Sequence, residues 1–330
     1  MSFSNATSFA ALDVPMPDHD GRPVVVAIVK ATFTVLPNGR LVPADVQRPV
    51  RINDELYDPD RAESSIRLPT DVCVAKRGTD LIVLGEAISS KMVEAMDVAV
   101  RARETTVPLR VHGERVFYQG LMQVQIGPAA PFERKPIVYE KAYGGVGDDP
   151  WTIESRNRAG VGVAKRKRDL VGKPAPQIEH PARPHKTADD DHAPVGLGAI
   201  RSHWSPRLER AGTFDDVWET TRMPAMPADF DVRANNQAHP SLLFDLPLAP
   251  GDEIAVLGMS TRGALSFTLP DLGLVFRARS DVSGRAEHAP VIDTVLIEPE
   301  ARVVEIIARR AFPQGRGKDV LRELRVDTAG

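Results

Sequence analysis

At 330 residues the chain exceeds the ~250 to 300 at which a single core usually stops growing, which predicts one large two-lobed unit or two domains. Its 42% hydrophobic and 26% charged residues suit a globular protein, and a net charge of −3 gives no bulk reason for nucleic-acid binding, which rests on a basic face that neutralises phosphates. The single cysteine, Cys73, excludes an internal disulfide and limits a metal site to one thiolate, while 28 Pro and 24 Gly favour turns over long helices.

Residues 1–21 carry no Lys or Arg ahead of their first apolar residues and no continuous apolar stretch, so no Sec-type signal is read there. The apolar run at 24–29 is six residues, far short of the ~20 that span a bilayer. Cytoplasmic residence without membrane insertion is the expectation. Residues 24–35 are apolar and β-branched on both faces, as in a central strand, and Pro37-Asn38-Gly39 supplies a turn. Val72, Val74 and residues 81–84 flank Lys76-Arg77-Gly78-Thr79-Asp80, which predicts a hairpin. Met96, Val98, Val100 and Ala102 alternate with Asp97, Ala99, Arg101 and Arg103, as Leu109 and Val111 do with Arg110 and His112, so both stretches read as half-buried strands.

Between residues 139 and 233 this alternation stops. The segment holds all three tryptophans (Trp151, Trp204, Trp218) and four of the eight histidines (His180, His185, His192, His203). A stretch that long without periodicity is usually functional, disordered or braced by what it binds. Strand grammar then returns: residues 254–259 and 264–269 bracket Ser260-Thr261-Arg262-Gly263, residues 274–278 follow a turn, and residues 293–298 and 302–307 flank Pro299-Glu300-Ala301. Residues 318–324 read as a terminal turn or an edge strand. The expected class is mainly β, an antiparallel sandwich or barrel-like scaffold of one or two lobes. It divides into an N-terminal β region (1–138), an irregular central recognition segment packed on the scaffold (139–233) and a C-terminal β region (234–330).

Common catalytic signatures are missing from the sequence: no Gly-x-x-x-x-Gly-Lys-Ser/Thr loop, no His-Glu-x-x-His, no Gly-x-Ser-x-Gly elbow and no Cys-x-x-Cys. Gly144-Gly145-Val146-Gly147 precedes Asp148-Asp149-Pro150, whose carboxylates would repel a phosphate, so it reads as a tight turn. Asp189-Asp190-Asp191-His192 could hold a divalent ion only if its loop curled, and a solvated acidic loop is the simpler reading. Lys165-Arg166-Lys167-Arg168 could grip an acidic partner or pair with that acidic run, but lacks the interleaved aromatics of a nucleic-acid site. Trp204 and Trp218 stand among turn formers and charges, where large aromatics pin a loop or anchor a partner.

The order of motifs is itself distinctive. Tyr139-Glu140-Lys141-Ala142-Tyr143-Gly144-Gly145, Arg156-Asn157-Arg158-Ala159-Gly160-Val161-Gly162 and Pro174-Ala175-Pro176-Gln177-Ile178-Glu179 are followed by Pro194-Val195-Gly196-Leu197-Gly198-Ala199-Ile200 and Trp204-Ser205-Pro206-Arg207. Residues 212–218, Pro227-Ala228-Asp229-Phe230-Asp231 and Asn235-Asn236-Gln237 continue it, with Val29-Lys30-Ala31-Thr32-Phe33, Val111-His112-Gly113-Glu114-Arg115 and Gly251-Asp252-Glu253 at the flanks. Together they resemble the bacterial domain-of-unknown-function family twenty-one sixty-nine, over nearly the whole chain. The motif positions are Glu140, Gly144, Gly145, Asn157, Gly160, Gly162, Pro206, Arg207, Asp231 and Asn236. The chain departs from the pattern at Tyr139, where the family has Trp, and at Arg158, where Pro is common.

The resemblance implies a non-enzymatic adaptor or chaperone of the type VI secretion system, encoded beside toxic effectors and the VgrG and PAAR spike proteins, that helps load an effector onto the spike. It implies no catalytic residue set, cofactor or metal. On that reading Tyr143, Trp204, Phe214, Trp218 and Phe230 bind cargo or support the binding surface, and Lys165, Arg166, Lys167, Arg168, Asp189, Asp190 and Asp191 steer encounter. The alternatives are a metal-assisted hydrolase using residues 189–192 with His180, His185 or His203, and a carbohydrate-binding sandwich whose aromatics stack on sugar rings.

Overall fold

The apolar run near the start forms the strand Pro23–Val35, and residues 24–33 are buried along its whole length. Because successive side chains point to opposite faces, one strand feeds several cores. Val25, Ala27 and Val29 pack with Phe276, Phe312 and Leu324, while Val24, Val26 and Ile28 pack with Ile307. Ala31, Phe33 and Val35 enter the largest cluster. The computed structural model describes residues 1–149, 151–316 and 319–328. Strands make up 44% of it and helices 7%, as the mainly β expectation requires.

The Pro23–Val35 strand is internal to a seven-stranded sheet. In order across that sheet run Leu243–Phe244, Thr79–Val83, Val291–Glu298, Val303–Pro313, Pro23–Val35 and Ala10–Pro17, with Leu41–Pro43 also paired to Pro23–Val35. Strands from both ends of the chain thus share a single sheet. A second sheet has the order Ile178–Glu179, Thr105–His112, Ala95–Ala102, Glu253–Leu257, Leu265–Thr268. Leu81 and Val295 of the first sheet and Val100, Leu109, Val256 and Phe267 of the second share the largest core, the arrangement of a sandwich. A smaller sheet runs Ser2–Asn5, Asp319–Thr328, Leu274–Ser280, Gly284–His288.

Three local expectations are corrected. Pairing is not purely antiparallel: Thr79–Val83 runs parallel to Val291–Glu298, and Ser2–Asn5 parallel to Asp319–Thr328. Residues 76–80 are no hairpin, because Thr79 and Asp80 already belong to the strand and pair with Phe244 and Leu243. There Lys76 Nζ is buried against Asp80 (2.8 Å), Thr294 Oγ1 (2.8 Å) and Gln237 Oε1 (3.1 Å), a polar role that an apolar-period count cannot register. The C-terminal strand Asp319–Thr328 lies between two neighbours rather than at an edge; Lys318, named with it from the sequence, falls outside the described residues.

Lys30 sits fully buried within the central strand. Its ammonium lies 3.0 Å from both Asp71 and Glu305, and Arg51 reaches the same two carboxylates at 3.2 and 2.8 Å. Burial alone would raise the Glu305 carboxyl, but Arg51 and Lys30 hold it below the usual carboxylate range. A buried network of this kind is poor evidence of net stability, yet losing one member leaves a charge without its counterion.

Candidate interaction site in the central segment

The central segment is ordered by a knot of backbone and short side chains. Asn157 is fully buried, and its Nδ2 donates to the carbonyls of Tyr139 and Tyr143, each at 2.9 Å. Its own carbonyl accepts from Gly145 N at 2.8 Å. The two motifs meet as parallel strands, Tyr143 beside Val161 and Gly144 beside Gly162. Gly144 has φ +148°, and a Cβ there would stand 2.2 Å from the Asn157 carbonyl oxygen. At Gly160 it would stand 2.5 Å from Asn157 Nδ2, so closeness of chains dictates both glycines.

The remaining motif residues tie this knot to the scaffold. Glu140 accepts from Ser65 N and Ser65 Oγ, both at 2.7 Å. Tyr139 is buried, donates to the Gly198 carbonyl at 3.1 Å and meets Trp204 edge-on at 5.6 Å. Trp204 is 0% exposed and packs with Ala159 and Ile200. Pro206 leads into α1 (Arg207–Arg210), whose buried Arg207 donates to the carbonyls of Ala234 (2.9 Å) and Ile200 (2.7 Å); burial pushes its pKa down. Asp231 caps the turn Val232–Asn235 through Arg233 N, and Asn236 Nδ2 donates to Arg77 O and Asp80 Oδ1, both at 3.0 Å.

A second polar centre lies beside the knot. Glu179, in the strand added to the edge of Thr105–His112, faces His112 Nε2 at 2.8 Å and accepts from Arg115 Nη2 at 2.6 Å and His185 N at 2.9 Å. Burial would raise its carboxyl, but His112, His185 and Arg115 hold it well below the usual carboxylate range. The His185 ring is stacked on Tyr143 at 5.1 Å and meets His192 at 5.1 Å.

One exposed part of the segment is the arm 208–230. Its helix α2 (Asp216–Thr221) buries no side chain, and Asp215 caps it by accepting from Trp218 N at 2.8 Å. Phe214 is 53% and Val217 66% exposed, with Leu208 and Met223 also exposed nearby. Trp218 is half-buried, edge-on to Phe214 at 4.8 Å, and donates to the Ala225 carbonyl at 2.8 Å. The arm rests on the scaffold through Met226 N to His19 O, and Phe230 lines a small groove there with Met16, Val72 and Val74.

The residues grouped by sequence therefore separate. Tyr143 and Trp204 are buried, whereas Phe214 and, in part, Trp218 are at the surface. The basic and acidic runs do not pair with each other: Lys165 faces Asp149 at 3.7 Å, Arg166 faces Asp169 at 2.9 Å, and Asp190 accepts from the backbone of Lys186 and Thr187, both at 2.8 Å. Among the described residues no three His, Cys, Asp or Glu side chains converge as metal ligands, although His185 and His192 are in contact. Of the Asp148-Asp149-Pro150 turn, Pro150 lies outside the described residues.

Sequence reasoning missed Ser65, the anchor of Glu140, and the exposed hairpin tip Leu121-Met122. It also missed a cleft of about 690 Å³ lined by Arg48, Tyr57, Arg67, Leu68, Leu84 and Glu298. Only the apolar pair left a signal, two large hydrophobes between Gly120 and Gln123 where a turn calls for polar residues.

A family model described as an uncharacterized protein conserved in bacteria (DUF2169) matches residues 20–309, which contain every motif position above. No curated protein and no solved structure matches. Among the described residues no helix is long and apolar enough to cross a membrane.

Proposed function

The chain belongs to this uncharacterised bacterial family, and on that premise we propose that it is a non-enzymatic adaptor that helps load a toxic effector onto the VgrG or PAAR spike of a type VI secretion system. The observation that supports the reading is the division of labour in the central segment. Its motif residues fix the backbone, while the arm they carry presents Leu208, Phe214, Val217 and Met223 outward, Val217 on a short capped helix. Apolar side chains held rigidly in solvent cost little ordering when a partner covers them, which suits capture and release.

The test is co-purification of the tagged protein with the effector and spike protein encoded beside its gene. Phe214→Ser with Val217→Ser is expected to leave folding intact and lower capture by about tenfold or more. Trp204→Ala acts only through stability. Undiminished capture by the folded double variant would sink the assignment of the arm, and capture of neither partner by the wild type would sink the adaptor reading.

A further inference from the structure

A second exposed surface is built from two other turns. Strands Phe117–Gln119 and Val124–Ile126 form a hairpin closed by Gly120 N to Gln123 O at 3.0 Å. Its tip carries Leu121 at 105% and Met122 at 96% exposure. A further turn, in which Val146 bridges Ile153 and Gly147 N donates to Thr152 O at 2.7 Å, carries Trp151 at 90% exposure.

The basic run joins the two turns. Lys165 meets Asp149 of the Trp151 turn at 3.7 Å, and the following turn Lys167–Leu170 is seated on the hairpin by Leu170, buried with Phe117 and Val124. Between residues 165 and 173 five cations (Lys165, Arg166, Lys167, Arg168, Lys173) face the single carboxylate Asp169, a net charge of +4. Lys165, Arg166 and Arg168 are 73%, 63% and 71% exposed, whereas their partners Asp149 and Asp169 are only 22% and 28% exposed. The cations therefore project beyond the anions that pair with them.

We propose that this face is a peripheral docking surface for an anionic lipid headgroup layer. Its apolar side chains stand on convex turn tips rather than lining a cleft. A headgroup layer accepts isolated Leu, Met and Trp tips at its acyl boundary, while a protein partner would need a matched cavity for each. The adjoining lysines and arginines supply the attraction to anionic lipid. The exposed carboxylate of Asp148 on the Trp151 turn opposes that attraction, as do those of Asp189 and Asp191, which follow Ala188, whose N–H donates to Val124 O at 2.9 Å. This surface is independent of the arm and of the adaptor reading.

The experiment is co-sedimentation of the purified full chain with vesicles of phosphatidylcholine alone and of phosphatidylcholine with phosphatidylglycerol in equal parts. Binding is expected only to the phosphatidylglycerol vesicles, and it weakens with added salt. Lys165→Gln with Lys167→Gln lowers it by about fivefold per charge removed. Leu121→Ser with Met122→Ser lowers it by about tenfold or more, and Asp189→Asn with Asp191→Asn strengthens it. All these side chains are at least half exposed or on surface turns, so circular dichroism is expected to be unchanged. Equal binding to both vesicle types, or no binding to either, overturns the proposal. So does weakening by the two Asp→Asn changes, which would show that these carboxylates do not oppose an anionic surface.

Discussion

Asn157 concentrates the logic of the central segment in one side chain. Its amide holds the carbonyls of two buried residues, Tyr139 and Tyr143. Asn157→Ala is expected to destabilise the protein by about 1 to 3 kcal/mol, since both carbonyls lose a buried bond, with the Tyr139 carbonyl still accepting from Ala142 N. Gly144→Ala is expected to be at least as damaging, because the added methyl meets the Asn157 carbonyl in a backbone region alanine avoids. Urea denaturation measures both, and a change below about 0.5 kcal/mol would show that the knot can relax. Glu179 makes the corresponding prediction for pH. Its folded pKa is depressed below the ordinary 4.5, so its contribution is present above about pH 4.5 and is lost as pH falls through that value towards the folded pKa. Glu179→Gln is expected to cost about 3 kcal/mol at neutral pH by stranding buried Arg115, and to flatten the fall of melting temperature below pH 4.5. An unchanged acid profile in the variant would remove Glu179 from the account.

Among the elements, α2 is held by its cap rather than by packing. No side chain of the helix is buried, so the Asp215 carboxylate on Trp218 N supplies much of what fixes its first turn. Asp215→Ala is expected to weaken the helix by about 1 kcal/mol locally. Amide exchange at Trp218 and Glu219 should rise severalfold while the global melting temperature stays put. A fall in global stability would mean that the arm is coupled to the core after all. How far these elements were legible varies with the kind of signal. The Pro23–Val35 strand and the Ala95–Ala102 and Thr105–His112 hairpin follow from apolar runs and alternation, because burial on two faces or on one leaves those periods. The 76–80 segment misled because its lysine and aspartate are buried as a pair, which only tertiary contact explains. The motif positions were identified as positions, but whether Trp204 or Phe214 faces solvent depends on where Tyr139 and Ile200 arrive, and local sequence carries nothing about that.

At the scale of the whole molecule, the cores are not independent. Phe9 and Leu272 pack against both the largest cluster and the one around Phe276, and the Pro23–Val35 strand contributes to three clusters, two along one face and one on the other. The seven-stranded sheet interleaves strands from both ends of the chain, so neither end can complete it alone. The central segment is joined to the scaffold at Ser65 through Glu140, and Asn236, just beyond its end, joins Arg77 and Asp80. Loss of any one layer therefore exposes apolar surface on the others, the condition for cooperative unfolding. Heating is expected to give one transition, with the near-ultraviolet signal of buried Trp204 and the far-ultraviolet signal of the sheets falling together. Ile28→Ala, in the cluster with Val24 and Ile307, should move both signals by the same temperature and cost about 2 to 5 kcal/mol. If the tryptophan signal instead melts first, the central segment is a separable layer, and its inward-facing motif residues order the segment without supporting the sheets.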